Sequence, residues 1–258
     1  MKVSFKVICL STMALVLAFS GCGKIKSWWK SKSGSRSGSG GFGGGEDSSE
    51  VQEDISEVQM NGRKLMMGII QANVERGNLG PVWPRTWRND FVSTSDDITH
   101  KTFKSAAEYF EALFDMEHYG TSDWDPVVDG ELLSTLGKNA VVGKKINPEG
   151  LDWCIAANVM DETQDFIPVL VSANVNPALL PCRQFSGRDD SKLPIGRKSG
   201  AARSMFGDDA VVLVRKSGAA ERIKARNFTL EAVFNRQGFD NSGWEHPIVW
   251  LTPTGLAE

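Results

Sequence analysis

The chain reads as an α+β protein, with one long N-terminal amphipathic helix packed on an antiparallel sheet of about four strands. Three observations predict it. Val51, Ile55, Val58, Leu65, Met66, Ile69, Ile70 and Val74 recur mostly at three- and four-residue steps, the spacing of one apolar helix face. Beyond residue 152 that period gives way to short apolar runs rich in branched side chains, parted by polar or Gly-containing turns. Hydrophobic residues make up 41% of the sequence, enough for one packed core, and no internal repeat divides it.

Ahead of that body stands a different kind of sequence. Lys2 and Lys6 make a basic start, and residues 7–19 are apolar or small throughout. That run is well short of the ~20 residues a membrane-crossing helix needs. With small residues at its end it reads as a secretion signal over residues 1–21. Phe19-Ser20-Gly21-Cys22 closes it and resembles the lipobox of bacterial lipoproteins, which implies lipidation of Cys22. Residues 24–32 carry four lysines around Trp28 and Trp29. Indole rings and lysines suit an anionic headgroup boundary, and the alternative is a solvated basic stretch. Residues 33–45 are almost wholly Gly and Ser. Such a segment buries little and acts as a tether of about 20 Å. The expected organisation is therefore signal peptide (1–21), lipidated cysteine and tether (22–46), and folded domain (47–258).

The elements of the domain follow in order. Asp47 and Ser48 are candidate helix caps and Gly77 a natural stop, which predicts a helix of about 25 residues. Pro81, Trp83, Pro84 and Trp87 make an irregular segment. Ser105-Ala106-Ala107-Glu108 is a capping box, and Ala107, Phe110, Leu113 and Phe114 form the buried stripe behind it. A short third helix is expected over 130–136. Residues 153–159 and 166–175 read as paired strands across Asp161-Glu162-Thr163, and 184–199 as a surface loop. Residues 210–215 and 220–225 read as strands around a turn at Ser217-Gly218. Residues 228–234 suit a last short helix and 248–251 a final strand.

Charge excludes one class of partner. Removing residues 1–21 takes two lysines from 29 basic side chains, leaving 27 against 32 acidic, a balance of −5. That argues against nucleic acid. In an oxidising compartment Cys154 and Cys182 either form a disulfide or stay as two buried thiols. A bond would close a loop of roughly 29 residues and add roughly 3–4 kcal/mol in the chain-entropy model. No catalytic pattern emerges. His100, His118 and His246 lack metal-ligand spacing, and no serine has a nucleophile-elbow context. His118 reads as a charge at a helix end, where it complements the dipole. The glycines at 40–45 follow no strand and precede no Lys-Ser/Thr, so they form no phosphate loop. Trp83, Trp87, Trp124, Trp244 and Trp250 read as core and loop-pinning residues. Their alternative is a stacking surface for a glycan or a protein.

Four stretches carry a family resemblance. They are Asn61-Gly62-Arg63-Lys64-Leu65 through Ile70-Gln71-Ala72-Asn73, the Trp83-Pro84 segment, the run from Trp153 to Asn158, and Phe206-Gly207-Asp208-Asp209-Ala210-Val211-Val212. Over residues 50–235 the chain resembles the soluble part of type II secretion pseudopilin-like (pilin-like) proteins. The resemblance implies a non-enzymatic protein that works through protein–protein contacts in a secretion or surface assembly. With the lipid anchor, it implies a place at the cell membrane or outer membrane. The chain departs from that family in one respect. A lipobox and a tether stand where members carry a prepilin peptidase motif leading into a membrane-spanning apolar helix. Phe228-Thr229-Leu230-Glu231 looks like that motif but precedes no apolar span. Some pseudopilins bind calcium in C-terminal loops. Asp208 and Asp209 are accordingly candidate calcium ligands, with Asp189-Asp190 and the Asp123, Asp125, Asp129 group as others. No other cofactor is expected. The alternative function is a cell-surface glycan- or ligand-binding module.

Overall fold

The first helix, α1, spans Asp47–Arg76. Gly77, which follows it, has φ 49° and opens a 3₁₀ turn, so the chain leaves the helix at the predicted stop. The computed structural model describes residues 47–87, 97–180, 184–185, 190–202, 208–240 and 244–257. All belong to one compact unit, Gly44–Glu258. Residues 1–46, where a signal peptide, lipidated Cys22 and tether are expected, lie outside them, as do Cys182, Asp189 and Phe206.

Ile55, Val58, Leu65, Met66, Ile69 and Ala72 form the buried face of α1. Val74, expected on that face, is instead 74% exposed. It lies five residues beyond Ile69, about 140° further round the helix. Gly62 takes the place a larger side chain would fill. A Cβ there would overlap the ring of Trp153 and crowd Val214. The glycine lets the helix settle onto the sheet at its widest side chain. Trp153 is fully buried and its indole N–H donates to the carbonyl of Thr135 at 2.9 Å. Gly68, six residues on and so on a different side of the helix, gives the same close approach against Leu132 and Val128.

The second helix, α2 (Ala106–Leu113), starts at Ser105, whose hydroxyl accepts from the Glu108 N–H at 3.2 Å. The reciprocal bond falls one residue earlier than the capping box predicts, because the Glu108 carboxylate accepts from the Lys104 N–H. The expected third helix is a 3₁₀ turn, Gly130–Leu136, capped by Asp129. Strands β1 (Val141–Val142) and β2 (Lys145–Ile146) make a small hairpin.

The main sheet has five strands rather than about four. Strands β3 (Trp153–Ala157) and β4 (Pro168–Ser172) pair antiparallel, with Cys154 opposite Val171. A minor pair joins β5 (Gln184–Phe185) to β8 (Phe239–Asp240). Strands β6 (Ala210–Arg215) and β7 (Ala220–Lys224) extend the meander on one side, and β9 (Val249–Leu251) adds to the far side of β3. The resulting order is β7-β6-β4-β3-β9, antiparallel throughout. The added strand was legible as a strand; its return past the meander to the β3 edge was not.

Strands β3, β4 and β6 are buried at every residue. Such continuous burial means that both sheet faces are covered. Trp153 and Val214 face α1. Arg215, the residue after Val214, points to the other face, as strand alternation requires. There its guanidinium donates to the carbonyls of Phe166 and Val233 and grips the Glu221 carboxylate through two nitrogens, at 2.8 and 2.7 Å. Val233 ends the short helix α3 (Leu230–Val233), so the cation sits at that helix's carbonyl end. The β6–β7 connection is a tight turn in which the Gly218 N–H bonds to the Arg215 carbonyl, with Gly218 at φ 83°. The segment read as a surface loop is partly internal. Ile195 is buried, and the turn Gly196–Ser199 is tied through the Ser199 hydroxyl to the N–H of Asn176.

Candidate functional site

Apolar surface remains uncovered along the outer face of α1; among the described residues Leu79, Val142, Met160 and Leu256 are exposed elsewhere, without forming a line on one element. Met60 is 51% exposed, Met67 50% and Val74 74%. They stand seven residues apart, so they form one line along the helix, about two turns per step. Glu57, Arg63, Lys64 and Gln71 flank the line and are exposed. A crease runs along each side of this ridge. One, of about 620 Å³, lies toward the β6–β7 turn and is floored by Ser217, Gly218, Ala219 and Ala220. The other, of about 580 Å³, lies toward Pro126–Leu132 and is bordered by Glu75 and Glu131. Gln59 closes the inner end of the first crease, its amide donating to the Ala220 carbonyl at 2.9 Å. That bond also covers one outward carbonyl of the edge strand β7. The neighbouring Arg222 and Lys224 put charge on the same edge and so discourage strand addition.

The carboxyl end of α1 is fixed by an ion pair. Arg76 meets both carboxylate oxygens of Asp97 at 2.6 Å. Partial burial raises the Asp97 pKa, but hydrogen bonds from Arg76 and Thr99 outweigh it and hold the carboxyl at about 2.

The expected site residues scatter. Cys154 is a free thiol with no exposed surface, and burial pushes its pKa up to about 12. It behaves as a small core residue, and Cys182, the other cysteine of the two readings, lies outside the described residues. Asp208 and Asp209 are exposed; Asp208 lies 3.9 Å from the Lys198 ammonium, and the Asp209 carbonyl accepts from Ala225. Asp129 caps a turn. Among the described residues no three His, Cys, Asp or Glu side chains converge as a metal site would require.

The histidines also part. Helix α2 ends at Leu113, so His118 is not in its last turn as expected. It pairs with Asp115 at 2.9 Å instead, and that hydrogen bond raises its pKa. His246 stacks on Trp87, ring centres 3.9 Å apart and planes 11° from parallel, with the Arg85 guanidinium 5.5 Å from the Trp87 ring centre. Asn158 holds this cluster. At φ 64° its side chain accepts from the Thr86 N–H and donates to the Pro247 carbonyl, both at 2.9 Å.

The tryptophans mostly serve packing. Trp83 and Trp250 are buried. Trp124 lies edge-on to Tyr119 and donates to the Phe114 carbonyl. They do not share one stacking platform.

The sequence reading missed the Met60–Met67–Val74 ridge. The seven-residue spacing is legible in the sequence, but the helical periodicity puts Val74 on the buried face and Met60 and Met67 on neither. Comparison with protein-family models, with curated proteins and with solved structures returns no match.

Proposed function

We propose that this chain is a non-enzymatic, lipid-anchored envelope protein whose pseudopilin-like domain makes protein–protein contacts through the outer face of α1, in a secretion or surface assembly. The observation that carries the reading is the ridge of Met60, Met67 and Val74, apolar surface left in water along a helix whose other side is fully packed. Exposed apolar stripes rimmed by charge mark interaction sites. Methionine suits such a surface because its unbranched thioether adapts to a partner's shape.

The pilin-like part of the proposal draws support from the order of elements. A long helix precedes the meander β3–β4–β6–β7 and lies against β6 and β7. No helix among the described residues is long and apolar enough to cross a membrane. Attachment in this reading rests on Cys22, with acyl chains on its sulfur and the tether setting the domain about 20 Å off the bilayer.

Replacing Cys22 by Ser tests the anchor. Fatty-acid labelling should cease and the protein should leave the membrane fraction; persistent labelling contradicts it. Crosslinking in intact cells, followed by identification of the bound proteins, tests the contact role. Recovery of no adduct through α1 contradicts it.

A further inference from the structure

We propose that the outer face of α1 pairs with the same face of a second copy of this chain, antiparallel, with the two-fold axis beside Met60. This names the partner of the contact surface above and rests on that reading. The argument is charge complementarity. Glu57 and Lys64 are exposed, seven residues apart, and on the same flank of the Met60–Met67 line. Among the described residues neither has an ion-pair partner.

An antiparallel pair of identical helices sets residues before the axis opposite residues after it. With the axis beside Met60, Glu57 of each copy faces Lys64 of the other, on the same flank. One symmetry operation thus forms two Glu57–Lys64 pairs, and each charge is met once. A parallel, in-register pair sets each charge level with its own copy and forms neither bond. Between the ion pairs Met60 meets its symmetry mate. The crease floored by Gly218, Ala219 and Ala220 leaves room beside Met60 for the partner's Met60 thioether, while Met67 lies level with Asp54 of the other copy. The ridge carries both signs of charge, which favours a self-complementary protein surface over an anionic lipid surface.

The test uses the full chain in detergent. Met60→Cys should give a disulfide-linked dimer under mild oxidation, well above that of the unsubstituted chain with its own cysteines. Glu57→Lys alone, or Lys64→Glu alone, should weaken dimerisation in sedimentation about tenfold. The double exchange Glu57→Lys with Lys64→Glu should restore it. These exposed positions should leave the thermal melt in place, which separates lost pairing from lost folding. A Met60→Cys chain that forms no excess dimer, or single reversals without effect, overturns the pairing.

A photo-crosslinking residue at Met67 in intact cells separates this inference from the reading beneath it. Adducts of this chain with itself support both. Adducts with other proteins alone overturn self-pairing and leave the contact surface standing. Absence of any adduct overturns both.

Discussion

The two faces of α1 differ in what each asks of its side chains. The inner face is built from Ile55, Leu65, Met66 and Ile69 around Gly62, and meets Trp153 and Val214 of the sheet. Every volume there is matched to a fixed neighbour. The outer face carries Met60 and Met67, half in water, between two creases. One helix thus holds the fold with one side and presents adaptable apolar surface with the other. The contrast teaches that exposure, rather than hydrophobicity, separates a contact residue from a core residue here. Met66 and Met67 are adjacent and chemically identical, yet one is fully buried and the other 50% exposed.

Substitutions should break that contrast in graded fashion. Trp153→Ala should cost the most, about 3–5 kcal/mol in urea unfolding, because it opens a cavity beneath Gly62 and removes the bond to Thr135. A loss under 1 kcal/mol would mean that the inner face is not the main packing surface. Asp97→Asn should cost about 1 kcal/mol at neutral pH, solvent screening discounting the full shift, by releasing the carboxyl end of α1. The sign follows from the lowered pKa. The Asp97 carboxylate stabilises the fold above the unfolded value of 3.8, and the contribution fades as pH falls toward about 2. Wild type and variant should therefore converge in stability near pH 2, and a constant gap would contradict the ion pair. Gly62→Ala should cost about 1 kcal/mol, the overlap with Trp153 outweighing the gain in helix propensity. A more stable variant would show that the helix can lift off the ring cheaply. Met67→Ser should be smallest, within about 0.5 kcal/mol in dilute protein. A larger loss would place Met67 in the core.

The sequence carried much of this framework for identifiable reasons. Helix α1, the cap at Ser105 and the strands of the meander are local features, and local spacing reveals them. The β9 edge is not local. Its pairing of Trp250 with Ala156 joins residues far apart in the chain, and no periodicity reports it. Burial of β3, β4 and β6 on both faces was equally hidden, because Arg215 in a run of valines gives no sign that α3 will receive it. The contact ridge was half legible. Its spacing is plain, but deciding which side of α1 faces water required Gly62, whose role is visible only against Trp153. The scattered site residues failed for the converse reason. Acidic pairs such as Asp208-Asp209 are close in sequence, and closeness in sequence brought no third ligand near them.

Methionine oxidation compares the two faces in one experiment. Exposed thioethers oxidise readily and buried ones slowly. Dilute purified protein and intact cells would each be treated briefly with peroxide, and the α1 peptide would be read by mass spectrometry. The account predicts rapid oxidation of Met60 and Met67 in the dilute protein and protection of both in cells, with Met66 protected in each. Equal oxidation of Met60 and Met67 in the two settings, with Met66 still protected, would contradict the claim that the outer face of α1 is a contact surface.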